Sequence, residues 1–273
     1  MPTVLYPPSR PQHIAEVLDS AFAVFKVTLL KCLPYGLLAM VASQVQSIYD
    51  VATGRPLGSG GLTWWLFFGL GTLASIALWS AVILRQKAVL DQRGTTALSD
   101  LAAGVRALPS VVVALVFALV TAGVGCLLLI LPGVYVLLAS SFAAQGILLE
   151  GKGPIAALAQ SRRLVSGNAL RVFTIFAVGL SMVLVFDLLM FTLVAVLLQF
   201  AGTGDLTVVT SYLPVVVIAL GAVTAPFLCA LGLALYGDLQ ARHASVVAAA
   251  PEAAVGKHGD APPGAPAQRE RAG

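Results

Sequence analysis

Charge is what this sequence has least of. Of 273 residues only 10% are Asp, Glu, Lys or Arg, while 59% are hydrophobic and the mean hydropathy is +0.94. An average soluble domain carries about 25% charged and roughly 45–50% apolar residues. A water-soluble fold would lack the charges to cover its surface, so an ordinary soluble enzyme is excluded and an integral membrane protein remains. Catalytic patterns are missing too. His13, His243 and His258 are scattered, and there is no HExxH, no Cys/His cluster, no GxSxG and no P-loop. These lacks argue against a catalytic centre, a metal or a cofactor. The three cysteines, Cys32, Cys126 and Cys229, lie in apolar tracts without framework or ligand spacing; they read as small buried side chains. The start, MPTVLYPPSRPQH, has no basic run leading into a short apolar core and a small-residue cleavage site, so no cleavable signal peptide is expected.

The apolar tracts are long. No charge occurs in 32–49, 56–84, 107–149 or 206–237, and 172–204 holds only Asp187. A spanning helix needs about 20 apolar residues. The third tract is about twice that length, with Leu131-Pro132-Gly133 inside it, where proline and glycine favour a tight turn. The expectation is an all-α polytopic membrane protein with six transmembrane helices, over about 30–49, 63–84, 110–130, 133–149, 170–198 and 212–236. Residues 1–243 form the membrane domain. The Ala/Pro/Gly-rich segment 244–273 has no aromatic residue and reads as a disordered cytoplasmic tail.

Three short amphipathic helices precede pairs of spans. Ile14, Val17, Leu18, Ala21, Phe22 and Phe25 recur at helical spacing, as do Leu98, Leu101, Ala102, Val105 and Leu108, and then Ile155, Leu158, Ala159 and Val165. Each is expected to lie in the cytoplasmic interface. Residues 90–94 (LDQRG) parallel 149–153 (LEGKG), and the second and third amphipathic segments align with a two-residue slip. This suggests a threefold repeat of interfacial helix plus hairpin, with chance similarity among apolar helices as the alternative.

The few charges are unevenly placed. Fifteen of the sixteen Lys and Arg residues fall on one side of the six-span arrangement, with Arg55 alone on the other. The positive-inside rule puts that side, and both termini, in the cytoplasm. Trp64 and Trp65 mark an outer edge. The net charge is +4, but the cations sit between apolar tracts rather than in a nucleic-acid-binding patch. Arg85, Lys87, Arg106, Arg162, Arg163 and Arg171 form a basic rim. Its residues either contact anionic lipid headgroups, at about 1 kcal/mol each, or simply anchor the topology. Asp187 lies mid-span in VLVFDLLMF, where a charged and unpaired carboxylate costs several kcal/mol. It is a candidate intramembrane polar site, either a proton or cation relay or a protonated group bonded to another helix. Asp238 and Arg242 make an i, i+4 pair. Gly151 to Pro154 end one helix and start the next.

Three stretches resemble a known family: IAEVLDSAFAVFK (14–26), the segment 131–173 with its Pro-turn, EGKG loop and SRRLVSG helix, and LYGDLQARH (235–243). Together they are similar to the glycerophosphoryl diester phosphodiesterase membrane-domain family and related uncharacterised bacterial six-helix membrane proteins. The resemblance implies a membrane domain in a bacterial inner membrane without the catalytic phosphodiesterase domain, for which this chain has no room. Three functions stay open: a non-enzymatic envelope scaffold, lipid-interacting or accessory protein; a small-solute or ion transporter using Asp187 with Gln44, Gln46, Gln145 or Gln199; and a membrane-embedded lipid-modifying enzyme. Expected partners are membrane lipids, a second copy of the chain or other membrane proteins.

Overall fold

The structure, a computed structural model, describes residues 8, 10–56, 58, 60–200 and 206–259. Every regular element among them is a helix: α1 (Ile14–Ser43), α2 (Val45–Ala52), α3 (Leu62–Leu90), α4 (Ala97–Leu128), α5 (Ile130–Ser140), α6 (Ala143–Glu150), α7 (Pro154–Val165), α8 (Ala169–Phe200) and α9 (Leu206–Gly259). Six stretches are long and apolar enough to cross a membrane, namely α1, α3, α4, α5 with α6, α8, and residues Pro214–Val247 of α9. The six expected spans are all present. The protein is a polytopic helical membrane protein.

Lipid tails are as apolar as Leu, so packing rather than water exclusion brings membrane helices together, and small residues let backbones approach. This chain puts a glycine at each principal crossing. Gly36 of α1 backs onto the Ala222 carbonyl of α9, Gly71 of α3 onto the Ala42 carbonyl of α1, and Gly104 of α4 onto the Ala77 carbonyl of α3. Gly133 of α5 meets Cys126 of α4, and Gly179 of α8 meets Leu231 of α9. Neighbours in the bundle thus follow chain order from α1 through α3 and α4 to α5, and α9 returns to lie against α1. The main core joins Val17 of α1, Phe142, Val172 and Ile175 of α8, and Leu231, Leu235 and Tyr236 of α9.

Four details depart from the sequence expectations. Segment 14–26 is not a separate helix but forms the first half of α1, where Phe22 and Phe25 pack against Phe227 of α9, tilted and edge-on, at 4.8 and 5.7 Å between ring centroids. Segment 98–108 likewise runs straight into α4 through Pro109. Neither is followed by a glycine able to end the helix. Only α7 is a separate amphipathic helix, because Gly167 at φ +81° breaks it from α8. The threefold repeat therefore survives in the order of segments but not in their geometry. The turn between the third and fourth spans falls at Leu129 (φ −163°, ψ 142°), not at 131–133. Pro132 sits in the first turn of α5, where its missing N–H has no helical acceptor in any case. Finally, α9 continues to Gly259, so 244–259 are helical rather than disordered. The rest of the expected tail, 260–273, and the expected loop 202–205 lie outside the described residues.

Candidate functional site

Much of the polar chemistry among the described residues gathers at one end of the bundle, where α1 begins, α6 ends and α9 emerges, while the buried Asp50 of α2 stands apart and accepts the Gly58 N–H at 2.8 Å. The organising side chain is Asp238 of α9, fully buried. Its Oδ1 accepts the Gln12 backbone N–H at 2.7 Å. Its Oδ2 accepts from Arg171 Nε and Nη2 at 3.2 and 3.0 Å, and from Arg242 Nε at 3.0 Å. Both guanidiniums also donate to the Gln12 carbonyl, at 2.5 and 2.6 Å. One carboxylate faces two cations, and a backbone oxygen takes the surplus donors. The knot ties the segment before α1 to the start of α8 and to α9. The i, i+4 pair of Asp238 and Arg242 was legible in the sequence; the part played by Arg171 and Gln12 was not.

A second hub forms around Glu150. It accepts from Gln160 Nε2 at 3.0 Å on both oxygens, from Gln240 Nε2 at 2.7 Å and from the Tyr236 hydroxyl, and it pairs with Lys152 at 2.7 Å. Local chain geometry sets this up. Gly151 at φ +64° closes α6 in the left-handed region, and Pro154 opens α7 at its first turn, as the sequence suggested. The helix break before α6 also has a cause. Ser140 and Ser141 donate to Val136 and Leu137 carbonyls at 2.8 and 2.9 Å, which loosens the turn. The freed Phe142 N–H donates to Ser161 Oγ of α7 at 3.1 Å. Thus α7 is docked by its own serine onto a broken span.

On the far side, Asp100 is 4% exposed and accepts from Arg85 Nη1 at 3.3 Å and Thr95 Oγ1 at 3.2 Å. Arg85 also donates to the Thr95 carbonyl at 2.7 Å. Lys87 pairs with Asp91 at 2.6 Å.

The six rim residues read from the sequence therefore divide in two. Arg85, Lys87 and Arg171 are held by Asp100, Asp91 and Asp238 and act within the fold. Arg106, Arg162 and Arg163 are exposed, and among the described residues no carboxylate or hydrogen-bond acceptor engages their side chains. Arg163 also lines an open cleft of about 910 Å³ between α7 and α9, together with Lys152, Gln160, Gln240 and His243. His243 carried no sequence signal beyond its place in the closing segment.

Comparison of the chain with protein-family models, with curated proteins and with solved structures finds no match. The site has to be understood from its own geometry.

Asp187 is remote from this end. The buried stripe of α8 runs Val172, Ile175, Gly179, Val183, and Asp187 continues it by one more turn. Its Oδ1 is buried with no hydrogen-bond partner among the described residues. Beside it an apolar cleft of about 340 Å³ opens between α1, α8 and α9, lined by Phe22, Met182, Val183, Phe186 and Phe227 among others. The four glutamines considered for a polar pathway do not join it. Gln46 donates to the Ser43 carbonyl at 3.0 Å, Gln44 caps α1, Gln145 lies against Gly232 of α9, and Gln199 is exposed three turns further along α8.

Proposed function

We propose that this chain is a non-enzymatic, lipid-interacting protein of a bacterial cytoplasmic membrane, with both termini on the cytoplasmic side and an affinity for anionic headgroups. The observation that carries this reading is the division of the rim. Every buried cytoplasmic-end carboxylate already has its cation, yet Arg106, Arg162 and Arg163 remain exposed and unpaired among the described residues. Cations beside an apolar belt meet the phosphate layer, and an anionic leaflet attracts each by about 1 kcal/mol. A scaffold or accessory role fits the same features, because the buried carboxylates of Asp100 and Asp238 are engaged in holding the fold together. The Oδ1 of Asp187, buried with no hydrogen-bond partner among the described residues, favours this reading over a hydrated transport path.

The test is native mass spectrometry of the full chain released from nanodiscs of mixed phosphatidylglycerol and phosphatidylcholine. The wild type should retain phosphatidylglycerol preferentially. The triple variant R106A/R162A/R163A should lose roughly a hundredfold in that preference, from three contributions of about 1 kcal/mol. Equal retention of the two lipids by the wild type would refute the reading.

A further inference from the structure

We propose that the cleft between α7 and the cytoplasmic end of α9 is a discrete binding site for the phosphate of an anionic lipid headgroup, with Arg163 and His243 as the groups that grip it. The proposal deepens the lipid-interaction reading and rests on it.

Two cavities meet at these residues. The larger, of about 910 Å³, lies between α7 and α9. A smaller one of about 280 Å³ lies beside it and shares Arg163, Leu164 and His243, adding Ser166 and Asn168 to its wall. Arg163 and His243 thus stand at the junction of the two. Both are exposed, and neither has an ion-pair or hydrogen-bond partner among the described residues. Their neighbours differ: Arg171 and Arg242 are committed to Asp238, and Lys152 to Glu150.

The charge balance points the same way. Over 150–171 and 236–247, five Lys and Arg residues stand against the two carboxylates of Glu150 and Asp238. Both carboxylates are saturated with donors, so the positive surplus is expressed at Arg162 and Arg163, and of these two Arg163 lines both cavities. An arginine fork matches two phosphate oxygens at once, and the imidazole supplies a further N–H in either protonation state. The Ser166 hydroxyl and the Asn168 side-chain amide are donors within the same small cavity.

Phosphate alone would leave most of the larger cleft unfilled. Its wall also carries Ala156, Ala159, Leu164 and Val247, an apolar surface suited to the glycerol and first methylenes of a lipid. The site opens on α7, a separate amphipathic helix with Arg162 and Arg163 in its last turn, the kind of helix suited to the headgroup layer. Basic pockets between helices on the cytoplasmic side are suited to anionic headgroups.

The experiment uses the full chain in the same nanodiscs, with retained phosphatidylglycerol read by native mass spectrometry for R163A, R163K, H243A and the rim control R106A. Because Arg163 and His243 are exposed, all variants should keep the wild-type melting temperature. R163A is expected to lower retention tenfold or more and H243A severalfold. R106A should change it by fivefold at most, the effect of one cation near a charged surface. R163K should not restore binding, since an ammonium lacks the planar fork. Addition of 10 mM inorganic phosphate should leave the bound lipid in place, because the apolar wall contributes. Equal losses in R163A and R106A, with full rescue by R163K, would overturn the discrete site and leave the diffuse basic rim standing. Displacement of the lipid by inorganic phosphate would overturn the lipid assignment in favour of a free-anion site. If none of the variants altered lipid preference, the site and the lipid reading would fall together. Should R163A fail to fold, H243A against R106A decides the question alone.

Discussion

Gly104 offers a sharp test of how this bundle is held together. It is buried at the crossing of α4 over α3, and a Cβ placed there would lie 2.6 Å from the Ala77 carbonyl oxygen and 3.2 Å from the Ala81 nitrogen. Both are backbone atoms of a neighbouring helix and cannot swing aside. To restore even a 3.0 Å contact the helices must separate by about 0.4 Å, and a gap of 0.5–1 Å forfeits roughly a quarter to a half of the dispersion energy along the seam. Overpacking of this kind costs about 1–3 kcal/mol. Alanine in place of glycine returns about 0.8–1 kcal/mol of helix propensity. The net expectation for Gly104→Ala is a loss of about 0–2 kcal/mol. The same helix carries its own control, because a Cβ at Gly123 would meet nothing within 4 Å. Gly123→Ala should therefore stabilise by about 0.5–1 kcal/mol through propensity alone. Detergent-titrated unfolding in mixed micelles measures both, followed by fluorescence of Trp64, Trp65 and Trp79, which all lie on α3. The double variant should show the sum of the two effects, since the sites are about 28 Å apart along α4. If Gly104→Ala proved as stable as Gly123→Ala, the close-crossing account of the bundle would be wrong.

Three further outcomes follow from the polar groups. Asp238→Asn leaves two partly buried guanidiniums without their counter-charge and should cost about 3–5 kcal/mol; hydrogen exchange at the Gln12 amide should accelerate with it, and an unchanged Gln12 amide would show that the knot does not hold the N-terminal segment. Asp187→Leu removes a buried oxygen with no partner among the described residues and should be neutral or stabilising by about 1 kcal/mol; marked destabilisation in the same unfolding assay would reveal a partner. With Cys126 replaced by Ser, a cysteine at Thr53 should react with a membrane-impermeant maleimide from outside the cell, and one at Ser99 only after the membrane is opened; the reverse pattern would invert the topology.

The span pattern was legible because hydrocarbon imposes a simple rule: backbone polar groups must be satisfied within a helix, and side chains must be apolar for about 20 residues. The turns at Gly151-Pro154 were legible for a local reason, the left-handed cap and the missing proline donor. Segments 14–26 and 98–108 misled because periodicity reports that one face is apolar, not what covers it. In the structure Phe227 of α9 covers Phe22 and Phe25, and a residue more than 200 positions away has no local signature. The basic rim was visible as a set of six, but nothing local in the sequence tells its five arginines apart. What separates Arg171 from Arg163 is whether a buried carboxylate lies within reach.

Composition and periodicity by themselves determined that this protein spans a membrane six times as helices, because the cost of exposing charge or backbone to lipid is local and large. Tertiary structure alone decided which helices touch and which cations are left over. Those outcomes depend on Asp238 meeting Arg171 and Gln12, on Glu150 meeting Tyr236, and on glycines facing particular carbonyls. Such contacts join residues distant in the chain, and their energies exist only once the helices have packed.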